Sequence, residues 1–243
     1  MATDEARFAA CIESALGEMP SDAHTVILST EGIFNHWWDF SPAAKGMLRG
    51  LADQFDFELC IWFRDPESFA AALYAQYLRN PNTDDSPDVY GRDIDFSEVM
   101  RDAWFRRHLD YLGFYYEAQA LFGTDCVRAF LFGGDTVRTF MEQYGTGELS
   151  RADLPGNESM RETGVRMMRI ANRFRLSPAE HDRVEELVFE IDRMIGDRSG
   201  RYELDRQDRE AVRRYAGKGW DVLRNCLYTG GKEMSKRGVS PKP

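Results

Sequence analysis

The chain lacks most of the features that place a protein quickly. Its four cysteines, Cys11, Cys60, Cys126 and Cys226, stand far apart, with no C-x-x-C pair in histidine-rich company. That spacing argues against a disulfide framework and against a thiolate metal site. No apolar run approaches the length of a membrane span, and no signal-peptide pattern opens the sequence. Positive charge is in deficit: 31 basic against 41 acidic side chains leave a formal charge of −10. An acidic chain is a poor candidate for binding nucleic acid or an anionic membrane, although a local basic cleft can exist within it. No repeat of fixed period occurs. These absences lead to the expectation of a soluble, cytoplasmic protein with reduced thiols, no metal, no membrane span and no nucleic-acid partner. At 243 residues the chain can bury a real core, in one domain or two small ones.

What is present centres on residues 57–81, FELCIWFRDPESFAAALYAQYLRNP. Leu59–Phe63 is a short aromatic and β-branched run, the pattern of one buried strand. Arg64-Asp65-Pro66 follows. Proline suits the first turn of a helix, where its missing N–H costs nothing, and Asp65 can cap the free amides there. Phe69, Ala72, Leu73, Tyr77 and Leu78 continue at helical spacing. A guanidinium therefore stands at the carboxyl end of a buried strand, beside a helix N-terminus, where open α/β sheets bind ligands and where an anion is favoured. A plain surface pairing of Arg64 with Asp65 or Glu67 is the competing reading.

The remaining pattern extends this unit. A helix is expected over 4–17, a strand over Thr25–Ser29, a helix from Ser41-Pro42 to Phe55, and then the central strand and its helix. The alternation predicts a parallel sheet. Residues 80–97 are dense in turn formers and read as a mobile lid or acceptor-binding loop. One helix is expected from Glu98 to Phe122, closed by Gly123, then a strand over Cys126–Phe132 and a helix over Thr136–Tyr144. Past Gly147 the chain becomes strandless, with amphipathic helices over 158–175, 178–195 and 206–228 and a loop over Gly196–Tyr202. The expected organisation is an α/β core over 1–147, C-terminal helices over 148–228 packed on it, and a flexible tail over 229–243.

The motifs in this order resemble the bacterial sulfotransferase family. WFRDPESFAAALYAQY is similar to the family's 3′-phosphate-binding element, R-x-P, five residues, Ser, one residue, Tyr, with Arg64, Pro66 and Tyr74 on the spacing. VILSTEG resembles the family's S-S-E turn. LDYLGFYYEAQALFGTDCVRAFLF is similar to its helix, F-G, strand unit, and NESMRETGVRMMRIAN to the N-x-S segment that opens its C-terminal helices. The resemblance implies a P-loop NTPase-like α/β fold, with a parallel sheet flanked by helices. It further implies the sulfonate donor PAPS (3′-phosphoadenylyl sulfate) and an acceptor hydroxyl on a carbohydrate or small molecule. Arg64, Ser68 and Tyr74 would hold the donor, and Glu31 would take the acceptor proton. A carboxylate base gains from desolvation, which Ile33, Phe34, Trp37 and Trp38 could supply. His36, Trp37 and Trp38 are the candidate acceptor wall, with plain core or interface burial as the alternative for the two tryptophans.

Two departures qualify that assignment. The serine of the motif is Ala72 here, so Ser68, one turn earlier, is the expected substitute. The family's first strand and lysine-bearing glycine loop, which wraps the 5′-phosphosulfate, has no counterpart before Thr25. Sulfuryl transfer relies on positioning and charge stabilisation, so loss of that loop removes the main catalytic device. Neither Leu131–Thr136, with Asp135 in its turn, nor the basic Gly230-Gly231-Lys232 stretch has the P-loop pattern. The sequence thus leaves three readings: a PAPS-dependent sulfotransferase lacking its first βα unit; a non-catalytic relative that binds a nucleotide, sugar or protein; and an unrelated α/β nucleotide-binding or helical adaptor protein.

Overall fold

The computed structural model describes residues 27–30, 32–83, 89–133, 159–174, 176–195 and 200–227, with isolated positions between them. Within these residues the protein is α/β and mostly helical, with one small parallel sheet of two strands. The elements are α1 (Gly32–Asn35), a 3-10 turn (Trp37–Asp39), α2 (Pro42–Gln54), β1 (Leu59–Phe63) and α3 (Pro66–Arg79). They continue with α4 (Phe96–Val99), α5 (Ala103–Arg107), α6 (Tyr111–Phe122) and β2 (Val127–Leu131). Last come α7 (Glu162–Ala171), α8 (Pro178–Ile195) and α9 (Arg206–Arg224). No helix among the described residues is long and apolar enough to cross a membrane.

The helix starts follow from capping chemistry. Ser41 accepts from the Ala44 amide ahead of Pro42, and Asp65 accepts from the Glu67 and Ser68 amides around Pro66. The expected single helix over 98–122 is instead three. Asp95 and Glu98 form a capping box at α4, Asp102 caps Phe105 at α5, and Asp110 caps Gly113 at α6. Each aspartate draws backbone amides to its own carboxylate and so starts a new helix where continuous periodicity predicted one. Gly123 closes α6 at φ 98°, a left-handed backbone that an L side chain rarely adopts.

β1 and β2 pair in parallel, Leu59 opposite Val127 through Phe63 opposite Leu131. Alternation gives the sheet two different faces. Phe63, Val127 and Ala129 face a core with Tyr111, Phe114, Ala118 and Phe122 of α6, together with Trp37, Leu48, Trp220 and Leu223. On the other face Trp62 stacks on Phe130, with ring centroids 4.8 Å apart. A second core joins α3 through Ala70, Tyr74, Tyr77 and Leu78 to Phe105, Val165, Met168, Val188 and Val212. The amphipathic helices α7, α8 and α9 close over this second core. α9 bridges the two, since Val212 and Ala216 lie in one and Trp220 and Leu223 in the other.

The expected strand over Thr25–Ser29 is not formed at its described positions. Residues 27–30 are irregular, with Ile27 55% and Leu28 56% exposed. A short apolar run becomes a strand only where a partner edge takes its amides, and the sheet of the described residues has no third member there. The expected loop over 80–97 is tied down in its described part. Asp93 pairs with Arg169 and Arg173 of the α7 region, and Asn172 donates to the Leu78 and Arg92 carbonyls. Most of the expected helix over 4–17, and the tail over 229–243, lie outside the described residues.

Candidate functional site

The carboxyl end of β1 delivers Arg64 to the start of α3. Its Nε donates to Ser68 Oγ at 3.2 Å, and the Ser68 hydroxyl in turn donates to the Asp65 carbonyl at 3.0 Å. Ser68, the expected substitute for the serine missing at Ala72, is thus in contact with Arg64. The helix N-terminus beside Arg64 is already in use, because Asp65 Oδ1 accepts from the Glu67 and Ser68 amides, each at 3.1 Å. A carboxylate in that position repels a second anion, so the α3 amides cannot cradle a phosphate. An anion at this end of β1 would have to be met by side chains.

Neither acidic neighbour pairs directly with Arg64 among the described residues, although the Asp65 charge acts to raise its pKa. Glu67 is engaged by Arg213 of α9, which ties the start of α3 to the C-terminal helices. Among the described residues Arg64 makes no ion pair. The charge that acts on it most strongly is that of another cation, Arg201. Burial, then the Arg201 charge, holds the Arg64 pKa below its ordinary value. Arg201 arrives through a single antiparallel bridge to Arg161, reinforced by the Tyr202 amide donating to the Met160 carbonyl at 3.0 Å. Two guanidiniums that act on one another electrostatically, neither ion-paired among the described residues, are groups to which an anion is attracted.

A third group belongs with them. The buried Tyr111 hydroxyl, at the start of α6, has no hydrogen-bond partner among the described residues and feels the charges of both Arg64 and Asp65. Burial raises its pKa well above the usual tyrosine value, so it remains a neutral O–H donor. Arg201 and Tyr111 carry no motif signal, and only the fold gathers them to Arg64.

The other expected site residues are dispersed. Glu31 lies outside the described residues. The segment after it does approach the site: the Phe34 ring lies 6.0 Å from Phe69 and 5.8 Å from Tyr111. Tyr74 is a core residue, its hydroxyl donating to the Ile94 carbonyl at 2.8 Å and its ring against Tyr202. The expected donor contact of Tyr74 therefore gives way to packing, because its hydroxyl is committed within the second core. Trp37 is fully buried (0% exposed), with Nε1 donating to Glu117 and Lys45 over its ring, so burial leaves it no face for an acceptor. Trp38 donates to the Arg107 carbonyl at 3.2 Å, and half-exposed His36 lies 3.5 Å from Asp39. Beneath them buried His108 joins α1 to α5, with Nδ1 2.8 Å from the Trp104 carbonyl and Nε2 3.0 Å from that of Asn35.

The fold and this geometry define a helix-rich α/β protein with Arg64 and Ser68 at the carboxyl end of β1. The chain matches no protein-family model, no curated protein and no solved structure.

Proposed function

We propose that this chain is a sulfotransferase-like protein whose Arg64, Ser68 and Arg201 hold the 3′-phosphate of PAPS. The observation that carries the reading is the half-buried Arg64 guanidinium, bonded to Ser68, without an ion pair among the described residues and within reach of the Arg201 charge. A doubly charged phosphate offsets the mutual repulsion of the two cations and takes several charge-assisted hydrogen bonds. The Tyr111 hydroxyl, which has no partner among the described residues, would add a neutral donor. In the full reaction an acceptor hydroxyl of a carbohydrate or small molecule attacks the donor sulfur. The bond from sulfur to the 5′-phosphate oxygen breaks, adenosine 3′,5′-bisphosphate leaves, and Glu31 takes the hydroxyl proton.

The test is calorimetric titration with adenosine 3′,5′-bisphosphate, using adenosine 5′-monophosphate as the control that lacks the 3′-phosphate. Saturable binding of the bisphosphate alone, weakened about tenfold or more by Arg64→Ala, is the expected result. Equal affinity of the two nucleotides, or of the two proteins, overturns the reading.

A second reading keeps the anion site without the transfer. It is favoured by the exposed, irregular residues 27–30 directly before Glu31, which give the proposed base no strand to hold it. Incubation with radiolabelled PAPS and an acceptor panel separates the two. Label transfer abolished by Glu31→Gln supports the enzyme, and nucleotide binding without any transfer supports the non-catalytic form.

A further inference from the structure

The first turns of α8 carry an imidazole with no assigned work. His181 is only 4% exposed, and neither Nδ1 nor Nε2 has a hydrogen-bond partner among the described residues. Buried polar atoms are nearly always satisfied, so a histidine with both nitrogens idle calls for a ligand or an enclosed water. One ring nitrogen lies with a carboxylate oxygen of Asp182 and one of Glu185 in a group whose members are all within 4.8 Å of one another. His181 and Glu185 stand four residues apart, which places them on one face of the helix.

We propose that His181, Asp182 and Glu185 form a binding site for a divalent transition-metal ion of the zinc class. The donor set selects that class. One imidazole with two carboxylates suits zinc, cobalt or nickel, whereas magnesium and calcium prefer oxygen alone. Each donor must come to about 2.0–2.2 Å from a shared ion. Exposed Asp182 has the rotamer freedom to close the gap, and buried His181 supplies the fixed ligand. Glu185 Oε1 accepts from Arg79 Nε at 2.7 Å, which orients the carboxylate and leaves Oε2 for the ion. The Arg79 guanidinium, itself stacked on Phe189, acts as an outer partner that fixes a ligand's direction. Glu180 is excluded from the set, because its carboxylate accepts from the Ser177 amide and hydroxyl at the helix start. Two factors oppose a cation here, the Arg79 charge and the positive end of α8, and the two ligating carboxylates offset them. Three protein donors leave the remaining positions of the ion to water.

The experiment is a titration of the chelator-stripped full chain with zinc, in competition with a chromogenic chelator, and with magnesium as the control. Cobalt(II) is then substituted to read the ligand type from its spectrum. Expected are one equivalent of zinc, no magnesium uptake in the same range, and a cobalt spectrum without a thiolate charge-transfer band. Asp182→Asn and Glu185→Gln each weaken zinc binding about tenfold or more, and His181→Asn weakens it further. Circular dichroism monitors folding. If His181→Asn unfolds the chain, the exposed Asp182→Asn carries the decision. Absence of stoichiometric zinc uptake overturns the proposal and assigns the imidazole to an enclosed water. Uptake that shows a thiolate band, or that survives Asp182→Asn and Glu185→Gln undiminished, overturns it as well.

Discussion

Replacing Asp192 should loosen both the C-terminal helices and the anion site. Arg161 precedes α7 without a side-chain cap of its own. The cap comes instead from α8: Asp192 Oδ2 accepts from the Arg161 amide at 3.1 Å, and Oδ1 accepts from the Gly164 amide at 3.2 Å. Asp192 is 5% exposed, so Asp192→Ala leaves water little access to the two abandoned donors. A buried donor left unpaired costs about 1–3 kcal/mol, and loss of a negative charge at a helix N-terminus adds ~0.3–1 kcal/mol. Because the Arg161 amide is only part-buried, we expect a loss of about 3 kcal/mol, or about 6–12 °C in Tm for a chain of this size. Asp192→Asn keeps one acceptor oxygen but turns an NH2 toward the other donor, and should lose about half as much.

Gly164 supplies the companion variant. A Cβ built there meets the Asp192 carboxylate carbon at 3.2 Å and Oδ2 at 3.3 Å. Gly to Ala in a helix interior ordinarily gains up to about 1 kcal/mol; here the methyl presses on the cap, so Gly164→Ala should give no gain. Urea melts followed by circular dichroism measure both variants. The same start of α7 carries the Arg161–Arg201 bridge, so Asp192→Ala should also weaken adenosine 3′,5′-bisphosphate binding. A loss below about 0.5 kcal/mol for Asp192→Ala, the scatter of ordinary surface substitutions, refutes the cap as a structural support.

The remaining predictions concern single groups. Tyr111→Phe removes a hydroxyl that has no partner among the described residues, so the ligand-free protein should hold or gain up to ~1 kcal/mol while bisphosphate affinity falls. A loss of stability would show that the hydroxyl is already satisfied in solution. Burial, with Glu58 alongside, pushes the Cys60 thiol up to about 11. Mass-spectrometric tracking of iodoacetamide labelling at pH 8 should find Cys60 slower than a free thiol by about a hundredfold or more, accelerating as pH rises toward that value; labelling at the free-thiol rate refutes the assignment. Burial acts to raise the Asp93 pKa, but Arg173 and Arg169 outweigh it and hold the carboxyl below its ordinary 3.8. Its contribution is therefore complete above the unfolded-state value and lost as pH falls through the folded one. Asp93→Asn should flatten the acid limb of a pH–stability profile, and an unchanged limb counts against the anchor.

Local chemistry was legible in the sequence, and long-range partnership was not. The bounds of β1 and the starts of α2 and α3 follow from Leu59–Phe63, Ser41-Pro42 and Asp65-Pro66, because a cap and a proline act within one turn. The breaks at Asp102 and Asp110 were hidden. An aspartate on the polar side of an amphipathic run looks solvated until its carboxylate is seen on the amide three residues ahead. The run at 25–29 has strand composition, but whether an edge accepts it is decided elsewhere in the chain. The Arg64–Ser68 contact was readable because the two lie four residues apart. Tyr74 fits the motif spacing yet faces the core. Arg201, far along the chain, becomes a neighbour only through Arg161.

On the proposed reading, the occupied α3 N-terminus decides what kind of anion site this would be. Had the Glu67 and Ser68 amides been free, a phosphate would have been held by backbone, at a position fixed by the fold of β1 and α3 alone. Asp65 takes those amides, so in the proposed site recognition would pass to Arg64, the Tyr111 hydroxyl and Arg201, drawn from three separate parts of the chain. Arg201 is exposed and anchored by one bridge, so its contribution should be the most salt-sensitive and the first lost on local opening of the α7 region. Arg64 is half-buried and oriented by Ser68, so it should keep its share at higher ionic strength. Affinity of wild type and Arg201→Ala for the bisphosphate should accordingly converge as salt rises, whereas Arg64→Ala should stay weaker throughout. A constant gap between wild type and Arg201→Ala across the salt series would mean that Arg201 is shielded from solvent when ligand is bound, and that the segment carrying it closes over the phosphate.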